Sequence, residues 1–427
     1  MKKQLIISLA FLSFILGSCS VSKNLEKSSK EGILKNPAFV PAFTGISIYE
    51  PATGKYWYNH LEDKYFVPAS NTKLVSCYTA MKYLGDSIPG IQYRIQNDST
   101  VIIRSTGDPT FLHPDFNNQP VFDFLKTFKN ILIERPVFDQ FLGNGWSWDD
   151  YLQYYSAQRS AFPIYGNIVT VKSDKDGLDI SPEYFRRIGE QSENLNNGFD
   201  VFKTWDGNQF IFRNGNTKRK EIPFVPDNET LLQLLKDTLK SNISFIENAG
   251  ITNQIIYSQP VDSMLKPMMY RSDNFYAEQS LLLVSNQLLG YMNERKIIDS
   301  VLKSDFNALP QTPKWVDGSG LSPYNHFSPK DFIDILLKMK DEFGMERIKA
   351  ILPTGGTGTL ANYYQSDSGK IFAKTGTLNG VVALSGFLYT KKNKLLVFSI
   401  IVNHHNSSAT TIRQGIEQFV KNLRKNF

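Results

Sequence analysis

Apolar and polar positions change rhythm several times along the chain. Strand-like runs over 43–49 and 55–59 flank Pro51-Ala52-Thr53-Gly54, which predicts a hairpin. A further short strand is expected over 65–68. From 71 to 84 the period becomes helical, with Leu74, Cys77, Tyr78, Met81 and Leu84 on one face. Between about 88 and 251 the pattern breaks into short strand-like runs rich in Asn and Gly, with a charged patch at 218–221. Helical periodicity returns from Met264, notably over 274–289 and 329–340. The C-terminal part predicts a strand over 371–375, a hairpin of 381–389 and 395–402 turning at 391–394, and a helix over about 410–423. Strands at both ends of a helical middle imply an α/β (α+β) domain, with an antiparallel sheet flanked by helices. That domain is expected to comprise 39–87 and 252–427, interrupted by inserted β-rich subdomains over 88–251.

The N-terminus carries a separate signal. Lys2-Lys3 precede an apolar run over 5–17, too short to cross a bilayer as a helix. It ends in Leu16-Gly17-Ser18-Cys19, which looks like a bacterial lipobox: the leader 1–18 is cut before Cys19, whose thiol is acylated. The plainer alternative is a signal peptide with an incidental Cys. Residues 19–38 then form a tether, whose Lys/Ser/Glu-rich part reaches on the order of 25 Å as a flexible coil. The expected location is an exported, membrane-anchored lipoprotein facing the periplasm. The other cysteine is Cys77, so lipidation of Cys19 would leave no disulfide.

Composition narrows the class. At 427 residues there is room for two or three compact units, and 41% hydrophobic with 21% charged residues excludes a disordered or fibrous chain. The net charge of +6 is spread along the chain without a basic stripe, so nucleic acid is not an implied partner.

The chemistry lies in three short motifs. In Ser70-Asn71-Thr72-Lys73, helical spacing puts Lys73 over the Ser70 hydroxyl. A serine needs a base to become a nucleophile, and a desolvated lysine can be that base. Ser20/Lys23, Ser263/Lys266 and Ser300/Lys303 share the spacing, so the context between a strand and an amphipathic helix singles out Ser70. The second motif, Ser272-Asp273-Asn274, also fits a helix N-cap. The third, Lys374-Thr375-Gly376-Thr377, offers a cation, hydroxyls and an approachable backbone to a substrate carboxylate. In this order the trio marks serine β-lactamases and penicillin-binding proteins.

Beyond the trio, the chain resembles the class C low-molecular-mass penicillin-binding proteins, which are D-alanyl-D-alanine carboxypeptidases with endopeptidase activity. The resemblance runs from about Phe43 onward. It includes Gly107-Asp108-Pro109-Thr110, Gly145-Trp146-Ser147-Trp148-Asp149-Asp150, Asp317-Gly318-Ser319-Gly320-Leu321-Ser322 with Asn325, Leu352-Pro353, and Gly358-Thr359-Leu360. It implies a serine β-lactamase/transpeptidase-like fold and an acyl-enzyme on Ser70, with Lys73 as base. Ser272 and Asn274 would relay the proton to the leaving D-Ala. Lys374, Thr375 and Thr377 would hold the terminal carboxylate, and the Ser70 and Thr377 N–H groups would form the oxyanion hole. Lys374 is further expected to depress the Lys73 pKa by repulsion. The implied partners are peptidoglycan stem peptides, β-lactam antibiotics as covalent inhibitors, and a membrane through the lipid anchor. A serine β-lactamase and a non-catalytic penicillin-binding sensor are the competing functions.

Asp150 would meet the amine of the stem peptide's diamino acid. Where the resemblance calls for an arginine after the Gly-Leu-Ser run, this chain has Pro323, and Asn379 stands where a longer glutamine can occur. A weaker preference for a free diaminopimelate carboxylate follows, unless Tyr324 or Arg347 compensates. Three other features are read as structural. Tyr165-Gly166-Asn167 matches another β-lactamase class but falls in a strand-like stretch of the insertion. Cys77 is expected to be a buried packing residue, and His404-His405 should point to opposite faces of a strand. No metal and no organic cofactor are implied.

Overall fold

The computed structural model describes residues 30–426, apart from 176, 193–197, 216–217, 249 and 251–253. The leader and Cys19 lie outside the described residues. The main sheet joins strands from both ends of the chain. They are β1 (Phe43–Glu50), β2 (Lys55–His60), β3 (Ile371–Leu378), β4 (Val381–Tyr389) and β5 (Leu395–Asn403). Their order is β3-β4-β5-β1-β2, antiparallel throughout, so β3 is an edge, whose outer side is bridged to Pro353-Thr354 at Phe372 and Ala373.

Period-2 alternation gives each strand two apolar faces, and both are covered. Phe372, Ala383, Phe387, Val397 and Ile401 join the core with helices α1 (Lys73–Tyr83), α2 (Asn274–Leu289) and α3 (Pro329–Ile351). Ile371, Ala373, Val382, Leu384 and Ile400 pack instead against Ile412, Ile416, Phe419 and Val420 of α4 (Ala409–Asn426). Helix α1 runs through the middle of the first core, with Lys73 to Met81 all buried.

A separate core, from Ile91 to Ile243, serves the intervening chain. Its largest sheet orders Asn242–Ile246, Asn130–Glu134, Thr100–Ser105, Ser87–Asn97 and Gln254–Pro260. The last two strands pair antiparallel, so the chain enters and leaves this region side by side.

The sequence expectations hold at β4, whose bounds are those predicted, and closely at β1, β2, β5 and α4. Two differ. Residues 65–68 form no strand: Phe66 makes a single bridge to Phe327, while the side-chain amide of Asn403 pairs with the Val67 backbone. Pro68 offers no N–H, and Ala69 turns left-handed at φ 47°. His404 and His405 lie beyond the end of β5, with His404 at φ 59°, so strand alternation does not apply to them.

Candidate active site

Four chain segments meet beside α1. The first is a 3₁₀ turn, Ala69–Thr72, which carries Ser70 into the start of the helix. Lys73 is fully buried; its Nζ lies 3.0 Å from Ser70 Oγ, 2.6 Å from Asn274 Oδ1 and 2.7 Å from the Ser319 carbonyl. Burial holds its pKa down at about 8, against an opposing pull from Asp317, Glu278 and Asp273.

The second segment is the entry to α2. Asp273 is the N-cap, accepting from the Tyr276 N–H, so the capping reading of this motif holds. Ser272 sits at φ 62° and Ala69 at φ 47°, conformations that cost a non-glycine residue about 1–3 kcal/mol and cluster at functional sites. The cap turns Asn274 inward, where Oδ1 accepts from Lys73 and Nδ2 donates to the Tyr155 carbonyl.

The third segment, Asp317 to Asn325, is wedged between the other two. A Cβ on Gly320 would stand 1.9 Å from the Ala69 carbonyl oxygen, and one on Gly318 2.6 Å from that of Ala277. Asp317 organises the wedge. Its carboxylate accepts from the Gly320 and Ser322 N–H groups, from Asn325 Nδ2 and from Trp146 Nε1. Burial raises its pKa to about 6. Gly145 packs against the Tyr324 ring, so the Gly145–Asp150 block lies next to this wedge. Asp150 accepts a hydrogen bond from Tyr155 Oη at 2.8 Å.

The fourth segment is β3. Lys374, fully buried, donates to Ser272 Oγ at 2.8 Å and to the Thr375 carbonyl at 2.7 Å. A Cβ on Gly376 would lie 2.7 Å from the Pro68 oxygen and 3.1 Å from the Ser70 nitrogen, so the strand can approach the Ser70 backbone only with glycine there. Alternation turns Thr375 and Thr377 away from Lys374. Thr375 lines a narrow cavity with Leu384 and Arg413, and Thr377 Oγ1 accepts from Arg413 Nη2 at 2.6 Å.

Desolvation is the leading cause of the depression in both lysines, and the Lys73 charge adds to it at Lys374, which lies well below the usual lysine range.

A second buried network, unforeseen in the sequence, supports the site. Glu278 and Gln279 interrupt the apolar run of α2. Glu278 accepts from the Ser319 N–H and pairs with Arg159, which also pairs with Glu294; burial lifts the Glu278 pKa to about 8. Gln279 holds the Gly107 and Ser160 backbone. Among the other candidates, Asn167 is spent on Gln158, Ser160 and Ile164 inside a left-handed turn, and does not reach Lys73. Cys77 is buried, its pKa pushed up by desolvation to about 12. Arg347 is committed to Asp262, so it is not free to replace the arginine missing at Pro323. Among the described residues, no group of three or more His, Cys, Asp or Glu is arranged to hold a metal ion, and no helix is long and apolar enough to cross a membrane.

The model of the D-Ala-D-Ala carboxypeptidase 3 (S13) family matches residues 26–191 and 229–423. A D-alanyl-D-alanine carboxypeptidase of Actinomadura sp. (strain R39) is 24% identical over 439 residues, covering 89% of this chain and 81% of that protein. The crystal structure of penicillin binding protein 4 from Haemophilus influenzae superposes with a TM-score of 0.74 at 19% identity, over 94% of this chain and 98% of that one. A predatory endopeptidase from Bdellovibrio bacteriovorus, in complex with an immunity protein, gives a TM-score of 0.53 at 16% identity, over 90% and 94% of the two chains.

Proposed function

The chain belongs to the D-Ala-D-Ala carboxypeptidase 3 (S13) family and is a serine-type DD-peptidase of peptidoglycan, and we propose that it works through an acyl-enzyme on Ser70. The observation that carries this is the placement of Lys73 Nζ, 3.0 Å from Ser70 Oγ and held in position by Asn274 and the Ser319 carbonyl. With a pKa near 8, about a tenth of the lysine is neutral at pH 7, enough to take the serine proton as Oγ attacks the carbonyl. The Ser70 and Thr377 N–H groups receive the developing oxyanion, a contribution worth roughly 3–4 kcal/mol per donor. Ser272, bonded to Lys374, passes its hydroxyl proton to the leaving amine of D-Ala and regains one from Lys73, which carries the Ser70 proton and is held by Asn274, so the base returns to its neutral form. Water then hydrolyses the ester. Thr375 and Thr377 face the carboxylate beyond the scissile bond, and Gly376 lets the strand close on it. Asp150 meets the side-chain amine of the stem peptide.

In this reading β-lactams acylate the same serine, and cross-linked stems are cut as well as D-Ala-D-Ala ends. Fluorescent penicillin should label the protein persistently. Rapid turnover of the label would favour a β-lactamase, and covalent labelling of Ser70→Ala would remove the serine from its role. Mass spectrometry of digested monomeric and cross-linked muropeptides then reports the two activities; cross-linked stems left intact would restrict the enzyme to carboxypeptidase action.

The chain between the paired strands Ser87–Asn97 and Gln254–Pro260 is read as an insertion, supported by its separate core. Limited proteolysis should nick it first while penicillin labelling survives; early loss of labelling would count against that division. The leader and Cys19 are read as a lipid-anchor signal. Cys19→Ser should move the protein from the membrane to the soluble fraction, and retention after a salt wash would rule the anchor out.

A further inference from the structure

Arg413 stands in the second turn of α4, on the side of the sheet away from Lys73, and its Nη2 donates to Thr377 Oγ1 at 2.6 Å. It also lines the cavity beneath β3 that Thr375 opens onto, together with Leu360, Tyr364 and Leu384. No carboxylate among the described residues pairs with it. This sets it apart from Arg159, Arg271, Arg347 and Arg424, each of which has an acidic partner. A guanidinium carries five donors in a planar fork that matches a carboxylate two-to-two, and among the described residues Arg413 makes one hydrogen bond, to a neutral hydroxyl.

The geometry has a second consequence. Because Thr377 Oγ1 accepts from Arg413, its own hydrogen is left to point elsewhere, and the edge of β3 is where a ligand would lie. Arg413 therefore does two things at once: it orients a hydroxyl donor and adds a positive charge behind it.

We propose that Arg413 is a specificity-determining residue, whose guanidinium acts with the Thr377 hydroxyl to select substrates carrying a free carboxylate just beyond the scissile bond. This rests on the DD-peptidase reading given above.

The test measures kcat and KM for the full chain on Nα-acetyl-L-Lys-D-Ala-D-Ala, whose side-chain amine is free to meet Asp150, and on the same peptide with its C-terminal carboxylate amidated. The wild type should prefer the acid. In Arg413→Met, which keeps the side chain's apolar length, that acid-over-amide preference in kcat/KM should fall tenfold or more, chiefly through KM for the acid. Arg413→Lys should recover part of it, because the charge returns without the fork. An unchanged preference in Arg413→Met would overturn the proposal. So would an equal loss on both peptides, which is the pattern of a merely structural arginine. If Arg413→Met fails to fold, Arg413→Lys decides: wild-type discrimination there refutes a role for the guanidinium fork. A wild type that cleaves neither peptide would instead bring down the DD-peptidase reading, and the Arg413 proposal with it.

Discussion

The depressed pKa of Lys73 makes a quantitative claim about pH. Its value of about 8, against the ordinary 10.5, amounts to about 3 kcal/mol favouring the neutral amine, and desolvation supplies it. Only the neutral form can accept the Ser70 proton, so acylation should rise with pH through about 8 and level off above it. The neutral fraction is about nine-tenths at pH 9, a tenth at pH 7 and a hundredth at pH 6. The second-order rate constant for acylation by penicillin should therefore drop about tenfold from pH 9 to 7, and tenfold again to pH 6. Replacing Lys374 with Met separates burial from repulsion as the cause. Desolvation comes first among the causes of the Lys73 shift, so a neutral side chain at 374 should leave most of that shift in place. The plateau should fall, because Ser272 loses its partner, while the midpoint stays within half a unit of the wild type. Stopped-flow acylation at constant ionic strength reads both quantities. A midpoint that climbs by a unit or more in Lys374→Met would show that repulsion, not burial, keeps Lys73 neutral. A flat profile from pH 5 to 9 would remove Lys73 as the base.

Gly320→Ala puts a methyl 1.9 Å from the Ala69 oxygen at a backbone φ of 77°, which should cost about 3 kcal/mol or more and cut penicillin acylation sharply; unaltered melting and labelling would contradict the wedge. Arg159→Met strips Glu278 and Glu294 of their buried cation and should destabilise the fold by about 3–5 kcal/mol, read as a lowered denaturation midpoint; a shift under 1 kcal/mol would mean that protonation of Glu278 suffices. On matched stem peptides with free and amidated diaminopimelate carboxylates, kcat/KM should differ by less than tenfold, since Pro323 leaves that carboxylate without an arginine. Asp150→Ala should weaken both alike, and a larger preference for the free acid would point to another cation.

Legibility followed the range of the interactions. The three motifs were readable because each packs its chemistry into three or four consecutive residues, and β4 because its apolar run is broken only at Ser385 and Gly386. The N-cap and catalytic readings of Ser272-Asp273-Asn274 do not exclude each other: Asp273 caps the helix while its neighbour Asn274 faces Lys73. What escaped depends on contacts between distant segments. Nothing local distinguishes Arg413 from any other arginine on an amphipathic helix, and its bond to Thr377 exists only because α4 lies under β3. Glu278 and Gln279 did leave a trace, as a polar pair within 275–285, a stretch of α2 buried on all sides. The expected strand at 65–68 failed because its neighbours are matched by the Asn403 side chain, not by a backbone ladder.

The partners of Lys73 lie 201 and 246 residues further along the chain, and β3 comes later still. As the polypeptide emerges N-terminus first, Ser70 and Lys73 appear early but have nothing to activate them. Their surroundings become dry only when the wedge at Gly318–Gly320 and the edge strand close over them. A partly made or truncated chain thus holds an inert serine beside an ordinary, charged lysine. Reactivity toward penicillin is then a certificate of completed synthesis and folding, and any truncation before Thr377 should leave a protein blind to the drug, however much of it is otherwise structured.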